Sequence, residues 1–161
     1  LWNARVGYED RSTRSSTNEA EPLTYLGQMH AAELPRPQLV RAAAAFCREH
    51  DATYRPHPSE KDKLSRLAHA AYRRAGIAVD GSRPLNELTG PVVSVFSTGV
   101  LEAAAQGRDA WVDFPRPPAW LEEFWERYGM HQYGDSPTPA PPRPEVEPAR
   151  RIAEILTAAI R

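Results

Sequence analysis

Between Leu23 and Phe114 the chain alternates short apolar runs of strand length with longer stretches of helical spacing, and this alternation limits the fold more than any other feature. Leu23-Thr24-Tyr25-Leu26, closed by Gly27, reads as a strand buried on both faces. Gln38–His50 then places Leu39, Val40, Ala43, Phe46 and Cys47 at helical spacing. Ala52-Thr53-Tyr54-Arg55 reads as a second strand, stopped by Pro56. Ser59 is expected to cap the next helix with Asp62 in capping-box position; Leu64, Leu67, Ala68, Ala71 and Tyr72 form its inward face, and Gly76 ends it. Ile77-Ala78-Val79 is a weak third strand, and a short helix over Pro84–Leu88 is capped by Ser82. Val92-Val93-Ser94-Val95-Phe96 is the strongest strand, Gly99–Gln106 a helix stopped at Gly107, and Ala110–Phe114 a fifth strand.

Strands that alternate with helices require right-handed crossovers and a parallel sheet. The expected fold class is therefore α/β, a Rossmann-like parallel sheet of about five strands with helices on both faces. This domain spans 22–134 and ends in an aromatic helix, Pro118–Tyr128, whose Trp120, Leu121, Phe124, Trp125 and Tyr128 can pack in the core, stack a base or face another domain. Residues 1–21, rich in Ser, Thr and Arg, are expected to be a linker or an arm to a missing N-terminal domain, with a disordered tail as the alternative. A proline-rich connector, 135–148, leads to a C-terminal helix, 149–161, with an Ile152, Ile155/Leu156, Ala159/Ile160 stripe that must be buried against its own sheet or a second domain.

Charge and cysteine content narrow the partners. With 20 basic and 21 acidic residues and a net charge of -1, nothing favours bulk attraction to nucleic acid or an anionic membrane. No apolar run reaches the roughly 18–20 residues of a membrane span, and Leu1–Val6 lacks the layout of a signal peptide. The single cysteine, Cys47, falls on an alanine-rich helix and reads as a small buried hydrophobe. The expectation is a cytoplasmic location, free or peripheral to the inner membrane face.

Open parallel sheets bind ligands at the carboxyl ends of their strands. Gly27-Gln28-Met29-His30 follows the first strand, Pro56-His57-Pro58-Ser59-Glu60 the second, Asp80-Gly81-Ser82-Arg83 the third, and Ser97-Thr98-Gly99 the fourth, with Glu102 one helical turn on. Ser97, Thr98 and Gly99 open a helix behind a buried strand, where amides and hydroxyls can hold a phosphate and Glu102 a ribose. Ser97 can equally be a plain helix cap and Glu102 a surface acid. His57, between two prolines, can hold or protonate a departing phosphate, or be an exposed loop histidine. Arg55 can add charge only if it points toward the ligand. His30, His50, His69 and His131 show no metal-ligand spacing, and no cofactor or metal is expected. The G-x-x-x-x-G-K-[ST], G-x-G-x-x-G and G-x-S-x-G signatures are missing, which removes most support for kinase-type, NAD-dependent and serine-hydrolase readings.

Gly27-Gln28, Arg55-Pro56-His57-Pro58 and Ser94–Ala103 with Gly107 beyond it together resemble the C-terminal, nucleotide-sugar-binding domain of GT-B glycosyltransferases. An HP motif combined with a serine-threonine motif is similar to bacterial sialyltransferases and polysialyltransferases. The resemblance spans roughly residues 22–114, and its terminal helix corresponds to the one that returns to the N-terminal domain. It implies one half of a GT-B fold, in which His57, Ser97 and Thr98 hold the phosphate of a CMP-sugar. The backbone near Gln28 and the loop after Val79 would frame base and ribose. The acidic general base would lie in the N-terminal domain, and the acceptor would be a glycan in cell-surface polysaccharide synthesis. The family often has two adjacent serines where this chain has Ser97-Thr98, so the activated sugar stays open. A nucleotide-sugar epimerase, a Kdo or glycerol-phosphate transferase, and a non-enzymatic α/β interaction module remain as alternatives.

Overall fold

Residues 21–30, 32–142 and 148–159 are described in the computed structural model of the chain. They form an α/β structure with a parallel four-stranded sheet, β1 Thr24–Leu26, β2 Thr53–Arg55, β3 Val92–Ser94 and β4 Ala110–Val112, in the order β2-β1-β3-β4. The helices are α1 Arg36–Glu49, α2 Lys63–Arg74, α3 Thr98–Ala105, α4 Ala119–Tyr128 and α5 Pro148–Ala159, with a 3-10 turn at Leu85–Glu87 where a short helix was expected. This is the Rossmann-like arrangement expected from the alternation, with four full strands rather than about five.

The expected third strand shrinks to a single bridge, Val79 beside Tyr54. Ala78 O accepts from Tyr54 N and Asp80 N donates to Tyr54 O, but Ser82 N then binds the Asp80 carboxylate and turns the backbone away. At the other edge Gln132 bridges Val112, which extends the sheet with a segment the sequence did not announce. Thr138, placed by sequence in a connector without core residues, is buried: its N donates to Ala110 O and its hydroxyl accepts from His131 N.

Register puts Tyr25, Tyr54 and Val93 in one row, and the face they share carries α1 and α2. Tyr25 lies 5.4 Å from Phe46 of α1, and Tyr54 meets Tyr72 of α2 edge-on at 4.9 Å. The opposite face packs on α3, where Gly99 sits against Leu26. Cys47 is buried on α1, which pushes its thiol up to about 12.

Helix α2 departs from the expected phase. Asp62, not Ser59, is its N-cap, accepting from Leu64 N at 2.9 Å and Ser65 N at 3.1 Å. Tyr72 is buried as expected and Ala68 packs against the core, but Ser65 and His69 complete the inward stripe, whereas Leu64 and Leu67 are each 63% exposed. The stripe turned because the sheet edge offers a buried carboxylate, Glu60, that His69 reaches. The stripe Ile152, Ile155 and Leu156 of α5 is also uncovered, at 57–58% exposure.

Glu21 latches the start of β1. Its carboxylate accepts from Arg83 Nη1 and from the amides of Thr89 and Gly90, and these bonds, the arginine's first, hold it down at about 2 from an ordinary 4.5. A carboxyl depressed on folding adds stability above its unfolded pKa that is lost as pH falls through the folded one. Glu21→Gln should therefore remove at most about 1 kcal/mol at pH 7, since solvent screens the pair. The difference from wild type should vanish in urea titrations repeated between pH 4.5 and pH 2.

Candidate functional site

Parallel pairing in register brings the strand exits to one edge. Leu26 pairs with both Arg55 and Ser94, so the turns Gly27–His30, Pro56–Glu60 and Val95–Ser97 leave the sheet side by side. The chain passes from β1 to β2 on one side and returns to β3 on the other, so the topological switch point lies between β1 and β3.

Gln28 fills that switch point. Its Oε1 accepts from Ser94 Oγ at 2.8 Å and from Phe96 N at 2.9 Å, which ends the β3 ladder at Ser94 and bends Phe96 and Ser97 toward α3. Gly27 is buried where a Cβ would fall 2.3 Å from Tyr54 Oη and 2.9 Å from Glu60 Oε1. Both residues shape the edge through their own packing.

Ser97 is the N-cap of α3, its Oγ accepting from Gly99 N at 3.1 Å. The cap uses the oxygen and leaves the hydroxyl proton to donate. Thr98 is exposed. Gly99 is buried with no room for a side chain: a Cβ would sit 2.8 Å from Leu26 Cδ1 and 3.1 Å from Leu85 Cδ2. The start of α3 thus presents two hydroxyls and the positive end of a helix dipole. Glu102 is half-buried, and burial raises its carboxyl while Arg108 draws it down. Its electrostatic partner therefore follows the far end of α3.

His57 leaves β2 on the exposed side of Pro56. Its Nδ1 accepts from Ser59 N at 3.1 Å, which leaves the ring proton on Nε2, facing away from the turn. Burial, then His30 and Arg55, lower its proton affinity against an opposing pull from Glu60. At neutral pH His57 is accordingly an uncharged N–H donor. Arg55, half-buried in β2, acts on this site as one of those nearby charges.

Sequence reasoning missed what lies beneath the two turns. Glu60 is buried and accepts from Met29 N at 2.9 Å, from Tyr54 Oη at 3.0 Å and from His69 Nε2 at 2.9 Å. His30 stacks on His57 with ring centroids 3.9 Å apart and planes 21° from parallel. Inside the run Ser59-Glu60-Lys61-Asp62 nothing separates a buried acid from exposed neighbours; the usable signal was His69 on an inward helix face, which needs a polar partner.

Of the expected site, the structure gathers Gly27, Gln28, His57, Ser97, Thr98 and Gly99 at one sheet edge, with β1 between the exits of β2 and β3. Strand spacing sets those two exits roughly 10 Å apart. An open concavity of about 700 Å³ is lined by Glu122, Trp125, Glu126 and Gln132 among others and carries an acidic rim. Among the described residues, no group of His, Cys, Asp and Glu could hold a metal ion and no helix is long and apolar enough to cross a membrane. No family model, curated protein or solved structure matches the chain.

Proposed function

We propose that this chain is the nucleotide-sugar-binding half of a glycosyltransferase that uses a CMP-activated sugar in cell-surface polysaccharide synthesis. The observation that carries this reading is the common exit of His57 and of the Ser97-capped α3 beside the switch point of a Rossmann-like sheet. Such an edge supplies donors for phosphate oxygens: the His57 ring N–H, the hydroxyls of Ser97 and Thr98, and the positive end of the α3 dipole.

In the proposed reaction an acceptor hydroxyl attacks the anomeric carbon with inversion. The bond from that carbon to the phosphate oxygen breaks, its electron pair leaves with CMP, and the hydroxyl proton goes to a base in the N-terminal domain. This chain's part is to stabilise the charge growing on the departing phosphate. His57 does so by donating Nε2–H as a neutral imidazole, and Ser97, Thr98 and the α3 dipole do so from the other side. Alone, the chain binds nucleotide weakly and turns nothing over.

A second reading, a non-enzymatic interaction module, draws on the uncovered Ile152, Ile155 and Leu156 of α5. Calorimetric titration with CMP, CDP, UDP and GDP separates the possibilities. CMP should bind best, and His57→Ala should weaken it about tenfold, the worth of one charge-assisted hydrogen bond. A preference for UDP would point to an epimerase, CDP to a glycerol-phosphate type of transferase, and no heat at millimolar ligand to the interaction module.

A further inference from the structure

Exposed imidazoles seldom stay face to face, because protonation makes them repel. At this edge the contact is enforced from below. Glu60 is 5% exposed, and a carboxylate so far from water is stable only while its donors stay in place. One of those donors is Met29 N, in the turn that ends at His30. Another is Tyr54 Oη, inside β2, and a third is His69 on α2. The backbone of Glu60 is also tied to the second turn, its N donating to His57 O at 2.9 Å. A single buried carboxylate therefore fastens the turn bearing His30 to the turn bearing His57, and the rings meet at 3.9 Å. Whereas His57 spends Nδ1 on Ser59, the ring nitrogens of His30 have no hydrogen-bond partner among the described residues.

We propose that His30 is a second anion-binding imidazole of this edge, working face to face with His57, and that Glu60 is the positioning residue that holds the pair together. The ligand class is a tetrahedral oxyanion, a phosphate ester or its inorganic equivalent. Two stacked rings offer neighbouring N–H groups to adjacent oxygens of one such group. The charges that face His57 are His30, Glu60 and Arg55, two of which oppose a proton on it. A bound anion offsets that opposition, so it is taken up together with a proton. This inference rests on the proposed reading of the edge as phosphate-binding, yet it requires neither a nucleotide nor the α3 start.

The test follows the imidazole NMR signals of the full 161-residue chain against pH, in sodium sulfate and in sodium chloride of equal ionic strength. Sulfate does not titrate in this range and so reports only on the protein. Relative to chloride, sulfate should raise the His57 midpoint by about 0.5 pH unit or more, a threefold gain in proton affinity. His30→Asn should raise that midpoint without sulfate and remove most of the sulfate effect. Glu60→Gln should also remove most of the sulfate effect by releasing the turns, while the loss of its own charge lowers the His57 midpoint; should it fail to fold, His30→Asn alone decides. The proposal is overturned if sulfate leaves the His57 midpoint where chloride leaves it, or if His30→Asn changes neither quantity. Nucleotide binding without a sulfate response would remove the imidazole pair and leave the transferase reading. A sulfate response without nucleotide binding would do the reverse.

Discussion

Gly27→Ala is expected to cost about 3 kcal/mol of stability and to undo the His30–His57 contact. The added methyl carbon would lie 2.3 Å from Tyr54 Oη and 2.6 Å from Tyr54 Cζ, distances at which something must move. Tyr54 cannot retreat: it is 0% exposed, its ring packs on Tyr25 and Tyr72, and its hydroxyl is bound to Glu60. Overpacking a closed core costs about 1–3 kcal/mol, and loss of a buried hydrogen bond to a carboxylate adds about 1.5–3 more when it is not remade. Urea denaturation measures the sum. A loss under 1 kcal/mol would show that the Tyr54–Glu60 unit is not rigid. The ring-current shifts of His57 should change in the same variant, because the Glu60 carboxylate that aligns the two turns is the group displaced.

Trp125→Ala should cost about 4 kcal/mol, within the range for removing a large buried aromatic. Trp125 is 3% exposed on α4, and its Nε1 donates to Val95 O at 2.7 Å. Val95 follows β3 directly and precedes Phe96 and Ser97, so this bond anchors the lead-in to α3. Trp125→Phe fills part of the space but leaves the Val95 carbonyl without its donor, and should cost about half as much. It should also weaken CMP binding, because the lead-in to α3 then loses one of its two anchors and keeps the Gln28 bond to Phe96 N. Thermal unfolding of the two variants beside the nucleotide titration checks both parts, and equal CMP affinity in Trp125→Phe would remove the link between α4 and the site.

The alternation of apolar runs and helical spacing was legible because burial of parallel strands leaves a signal in every residue of the run. The ends of the strands were not, because side chains decide them. Gln28 takes Phe96 N and stops β3 at Ser94, and Asp80 turns the third strand away after a single bridge. The phase of α2 was misread for a related reason. Leu64 and Leu67 carry the hydrophobicity, but His69 turns inward to Glu60, and a buried carboxylate has no hydropathy signature. The candidate site was legible as a set of exits, His57 and Ser97 among them, since parallel strands bring their carboxyl ends to one edge. Glu60 and the stacking of His30 were not, because both depend on how two turns meet in space.

On the proposed reading, one phosphate-binding site includes both the β2 exit and the start of α3. This is tested most directly by an NMR titration of the chain with CMP that follows the amides of Ser97, Thr98 and Gly99 and the ring of His57 together. These signals are expected to move in concert and yield one dissociation constant. Signals that stay still at millimolar CMP, or that move around Glu122 and Gln132 at the acidic concavity instead, would contradict that reading.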